Sequence, residues 1–162
     1  MFSCYDDSEE DLRNDASAEG TLTIEALREE LYHMYQHRYL EKDNLTLWRH
    51  MVEYEYALFA DINRFVRYGG NTEMAMEEKY WFCCVSTNLD YQPDYEQFLK
   101  DITLNGTKYG YRPITREEFY KWAQVFGEMN RTYNVDRGYN YDMDYTMTIN
   151  DLLALAKNNC GK

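Results

Sequence analysis

Two prolines and eight glycines punctuate 162 residues, so the chain has few of the breakers that separate many short strands, and long helices are favoured. No apolar run approaches the roughly 18 residues that would span a bilayer, and no cationic-then-apolar segment opens the sequence. Cysteine is scarce and badly placed for bridging: Cys83 and Cys84 are neighbours, while Cys4 and Cys160 lie near the two ends. CxxC and paired Cys/His spacings are absent, which argues against a structural zinc site. The expectation is a reduced, cytoplasmic protein without disulfides.

Positive charge is also in short supply. Seventeen Lys and Arg face 29 Asp and Glu, for a formal net charge of −12. Such a chain is repelled by nucleic-acid phosphates and by anionic membranes, and its natural complement is a basic protein surface. The charge is uneven. Residues 1 to 20 hold seven carboxylates against Arg13 alone, with almost no apolar residue after Tyr5 except Leu12. This segment reads as a disordered acidic tail, leaving 21–162 as one helical domain.

What is abundant is tyrosine, 17 residues beside seven Phe and three Trp. Tyrosine gives large, stiff, amphipathic area, suited to a core edge or to a binding surface. With 44% hydrophobic residues the domain can bury a real core.

The periodicity predicts a compact all-α bundle of five or six helices. Thr21 to Glu41 forms the first, with Thr23 as N-cap and Leu27, Leu31, Met34 and Tyr35 as its apolar face. Leu45, Trp48, Met51, Val52, Leu58, Phe59, Ile62, Phe65 and Val66 mark one long stripe, the expected central helix, capped by Asn44 and stopped by Gly69-Gly70. Thr72 to Ser86 makes a third helix, with Met76, Tyr80, Trp81, Cys84 and Val85 facing inward. A fourth starts near Pro93 and ends at Asn105-Gly106. "TREE" at 115–118 is a capping box opening a fifth helix through Phe119, Trp122, Phe126 and Tyr133. Thr148 is the expected cap of a last short helix. "TKYGYRPI" at 107–114 alone has strand character, as a minor β-hairpin arm or plain loop.

Four patterns bear on chemistry. The loop "NVDRGYNYDMDYTMT" at 134–148 places Asp142 and Asp144 at positions 1 and 3 of a calcium-loop template. The template then fails, with Met147 where a sharp turn needs glycine and Leu153 where a bidentate glutamate should close the cage.

Glu29, His33, His37 and Glu41 recur every four residues along one helix face. A His/His/Glu row can hold Zn²⁺ or Fe²⁺, which makes His33, His37 and Glu41 the metal-like set of a small enzyme. HExxH is missing, however, and no second helix offers a matching set. The expectation is a solvated face held by i,i+4 Glu–His pairs, with no metal and no cofactor.

Nucleophilic catalysis has little to build on. Cys83, Cys84 and Ser86 sit beside Trp81 and Phe82 in a segment read as buried, where cysteine behaves as a small hydrophobe. GxSxG, P-loop and GxGxxG are absent, and His50 stands alone.

The last pattern is acidic and aromatic. Asp136, Tyr139, Tyr141, Asp142, Asp144 and Tyr145 share the quoted loop, and Glu73, Glu77, Glu78, Asp90 and Asp94 form a second acidic set. Carboxylates pair with arginines as phosphates do, and tyrosines stack as bases do, so such surfaces can occupy a basic groove meant for nucleic acid. Lys108, Arg112, Arg116, Lys121 and Arg131 give residues 108–131 a weak positive face, so any imitation is one-sided. The functional expectation is a non-enzymatic interaction protein binding a basic protein surface. Its sharper form is a phage-type inhibitor occupying the nucleic-acid groove of a host defence complex, and the alternative is an adaptor or immunity-type partner using Tyr-rich patches without mimicry.

Overall fold

A computed structural model describes residues 24–39, 49–77, 91–129 and 146–160. These form an all-α fold with six helices: α1 (Ile24–Tyr39), α2 (Arg49–Arg67), α3 (Thr72–Glu77), α4 (Gln92–Thr103), α5 (Arg116–Met129) and α6 (Thr146–Cys160). No strand occurs among the described residues, and none of their helices is long and apolar enough to cross a membrane.

Helix α2 is the hub, and α1, α3, α4 and α5 all pack on it. Every residue from Met51 to Phe59 is buried, so this stretch is enclosed all round rather than along one stripe. Leu58, Ile62 and Phe65 lie on the expected face and are fully buried. Aromatic side chains join the helices at edge-to-face geometry: Tyr54 of the hub meets Phe119 of α5 at 5.0 Å between centroids, and Tyr95 of α4 meets Trp122 of α5 at 4.9 Å. Four of the 17 tyrosines are therefore core, with Tyr32, Tyr54, Tyr56 and Tyr95 all buried.

The ends of the helices follow local chemistry. Gly70 N–H donates to Phe65 O at 2.8 Å and Gly69 N–H to Val66 O at 3.1 Å, the paired bonds of a Schellman stop for α2. Both glycines have positive φ. Asn71 Oδ1 then accepts from Met74 N–H and caps α3. Pro93 lies in the first turn of α4. Leu104, Asn105 and Gly106 continue past its end in left-handed conformation. Gly70 and Gly106 then meet back to back, since a β-carbon on Gly106 would run into the backbone of Gly70. This contact ties the α2–α3 turn to the α4–α5 connection. The capping box forms as well: Glu118 N–H donates to Thr115 Oγ1 and Thr115 N–H donates to Glu118 Oε2. Arg112 reinforces it with a two-pronged pair to Glu118 at 2.8 and 2.6 Å.

Three expectations need correction. Residues 107–114 make no hairpin. Thr103 O gathers the N–H groups of Thr107 and Lys108, and Ile102 O takes that of Tyr111, so the backbone is spent on turns folded over the end of α4. Asn150 of α6 secures this loop by bonding both N–H and C=O of Ile114. Thr148 does not cap the last helix, which starts at Thr146 and buries Thr148 completely.

The third correction matters most. Leu27, Leu31 and Met34 were expected inside, yet they are 50%, 53% and 67% exposed. Helix α1 buries the opposite side instead: Tyr32 and Gln36 fully, Glu29 and His33 in part. Of its expected apolar face only Tyr35 packs partly on the core.

The expected tail 1–20, the caps Thr23 and Asn44, residues Leu45 and Trp48, and the inward set from Tyr80 to Val85 lie outside the described residues.

Candidate functional site

The reversed face of α1 meets α2 through a polar cluster rather than an apolar seam. Glu29, His33 and Gln36 follow at i, i+4 and i+7, so one turn stacks on the next along the buried side. Helix α2 answers with Glu53 and Glu55. His33 Nε2 lies 3.8 Å from Glu29 Oε1 and 3.6 Å from Glu53 Oε2. On its other edge, His33 Nδ1 is 2.8 Å from Gln36 Oε1.

Gln36 is entirely enclosed, and its amide nitrogen donates twice, to Val52 O at 3.0 Å and to Glu55 Oε2 at 2.6 Å. Two acceptors on the nitrogen fix which way the amide points. Its oxygen therefore faces His33 and receives the Nδ1 hydrogen, which leaves His33 Nε2 aimed between two carboxylates. The Tyr32 hydroxyl, also buried, faces Glu55.

Charge in this cluster is displaced from ordinary values. Burial opposes a charged His33, but Glu53, Gln36 and Glu29 outweigh it and raise the imidazole to about 9. Burial first, then the neighbouring Glu53, raises the Glu29 carboxyl. Burial also pushes Glu55 up to about 8, against the opposing pull of Gln36 and Tyr32.

A second buried polar group lies further along α2. Asp61 accepts the Tyr95 hydroxyl at 2.8 Å, and its other oxygen is 3.5 Å from the Arg64 guanidinium. Burial raises its carboxyl to about 7, while Arg64 and Tyr95 hold it down.

The structure redistributes the expected site residues. The histidine ladder does not stay on one solvated face. The Glu29–His33 pair forms, but His33 turns inward to Glu53, His37 is exposed, and Glu41 lies outside the described residues. A second helix does supply a matching carboxylate, which the sequence reading lacked. Glu73 and Asp94 are exposed, with Lys121 Nζ 3.9 Å from Asp94. Glu77 ends α3 and its side chain is not among the described ones. Glu78, Asp90, Asp136, Tyr139, Tyr141, Asp142, Asp144 and Tyr145 lie outside the described residues, as do Cys83, Cys84 and Ser86. The described residues carry the smaller part of the net charge.

Reasoning from sequence missed Glu53, Glu55, Gln36 and Asp61. The available signal was an interruption: Glu53, Glu55 and Asp61 punctuate an otherwise apolar run on the helix already read as central. Charges at such positions need partners once enclosed.

No family model, no curated protein and no solved structure matches this chain.

Proposed function

We propose that the protein is a non-enzymatic acidic interaction protein that binds a basic protein surface. The observation that carries this reading is the orientation of α1. Leu27, Leu31 and Met34, at i, i+4 and i+7, make one stripe that is half exposed or more along the outer side of the helix. Large apolar side chains at that spacing are the anchors of a helix laid in a partner's groove. The net charge of −12 supplies the field that steers a basic partner toward it. Glu73 and Asp94 are both exposed to such a partner, Asp94 with Lys121 3.9 Å away.

In its sharper form, the partner is a nucleic-acid-binding protein, as in a phage-type inhibitor of a defence complex, with carboxylates standing where phosphates would. The apolar character of the α1 stripe favours a second reading, an adaptor or immunity-type partner that uses apolar and aromatic anchors without imitation of nucleic acid.

Immobilised protein exposed to lysate of its native source tests both. Basic proteins should be retained at 0.1 M salt and lost when Leu31→Asp and Met34→Asp are combined in a variant of unchanged helical content. Release by 1 M salt, where the Debye length falls from about 10 Å to about 3 Å, supports the charge-led form. Retention at 1 M salt with loss in the double variant supports the adaptor. Retention of the same proteins by the double variant, or no enrichment of basic proteins, overturns the reading.

A further inference from the structure

We propose that Glu29, His33 and Glu53 form a binding site for a divalent first-row transition ion, of the Zn²⁺ or Mn²⁺ kind, at the contact of α1 with α2. One ligand atom from each side chain lies within 4.8 Å of the other two. A tetrahedral ion with bonds of about 2.0–2.1 Å needs ligand atoms about 3.3 Å apart. The present separations of 3.8 Å and 3.6 Å from His33 Nε2 are a few tenths of an ångström wider, within reach of small side-chain rotations. The donor set, one imidazole and two carboxylates, suits ions of intermediate hardness, and three protein ligands leave a position for water or a ligand. That position opens outward, because exposure rises from 9% at the Glu53 side chain through 18% at His33 to 29% at Glu29.

Two further observations separate this arrangement from a chance cluster of charges. The first is Gln36. Metal-bound histidines donate their second ring N–H to an oriented acceptor, which fixes the tautomer. Gln36 supplies that acceptor, and it is itself completely buried and held by both Val52 O and Glu55. Three groups are thus spent on pointing His33 Nε2 between the carboxylates. The second is the reversal of α1, which leaves Leu27, Leu31 and Met34 in water while enclosing a polar face. Burial of the leucine side would be the more stable choice by hydrophobic transfer alone. Departures from local pattern of this kind concentrate at functional sites. The site uses none of the residues of the exposed stripe, so its test does not depend on the binding role proposed above.

The test is calorimetric titration of the chelator-stripped full chain with Zn²⁺ and, separately, Mn²⁺, followed by thermal melting with and without the ion. Wild type should bind one ion per chain and melt at higher temperature when loaded. Glu53→Gln and His33→Ala should each weaken binding about tenfold or more, and His37→Ala, on the exposed side of the same helix, should bind as wild type. Gln36→Leu should weaken binding about 10–100-fold while leaving all three ligands in place. Circular dichroism checks each fold, and Glu29→Gln, at the open rim, replaces any inner variant that does not fold. No binding by wild type overturns the proposal and leaves an imidazolium held between two carboxylates. Binding unchanged in the Glu53 or Glu29 variant also overturns it, since the ion then sits elsewhere, for example on a cysteine.

Discussion

Asp61 offers the most direct check on how the core handles charge. Its carboxyl is buried on α2, where it accepts the Tyr95 hydroxyl of α4 at 2.8 Å and lies 3.5 Å from the Arg64 guanidinium, and burial raises it to about 7. The unfolded chain releases that proton near pH 4. Between those values the native state holds a proton that the unfolded state has lost, so this contribution is complete below about pH 4 and is lost as pH rises through 7. Linkage at about 1.4 kcal/mol per pH unit then gives a fall of about 2–3 kcal/mol between pH 5 and pH 8 from this residue. Asp61→Asn keeps the size of the side chain and an oxygen to accept from Tyr95, but removes the titration. Any fixed difference between the amide and the protonated acid shifts the whole curve by an amount that does not change with pH over this range. The slope therefore isolates the carboxyl. Urea unfolding at unit steps from pH 5 to pH 8, with unchanged m values, should show the wild type losing about 2–3 kcal/mol relative to the variant as pH rises. The buried Glu55 and His33 slope the same way, but in both proteins, so they cancel in the difference. Parallel curves would refute the reasoning, because they would mean that Arg64 keeps Asp61 ionised in the folded state throughout.

Gly106→Ala should destabilise by more than about 2 kcal/mol in urea melts, since the new methyl meets the Gly70 backbone and the position has φ of 76°. Thr115→Ala should cost about 1 kcal/mol through loss of the α5 cap, and an unchanged urea midpoint would show that Arg112 holds Glu118 without it.

How much of this was legible beforehand depended on range. The Gly69-Gly70 and Asn105-Gly106 stops, Pro93 in the first turn of α4 and the Thr115/Glu118 box were readable because each is settled within a few residues. The α2 hub was readable because a long apolar stripe has one economical destination. The strand-like look of 107–114 misled because β-propensity mostly records packing against neighbours, and here the backbone had turns over α4 and an Asn150 clamp to satisfy instead.

The sequence by itself determined that the fold is all-α, where α2 and α4 end, and that α2 lies at the centre. Tertiary structure alone decided the orientation of α1. That helix carries two stripes of the same period on opposite sides, Leu27/Leu31/Met34 and Glu29/Tyr32/His33/Gln36, and periodicity cannot choose between them. The choice falls to α2, whose Glu53, Glu55 and Val52 carbonyl offer the polar side partners that a leucine face would have left unsatisfied. Carboxyl groups and an amide buried without partners would oppose the gain from burying Leu27, Leu31 and Met34, and the polar side of the helix satisfies them.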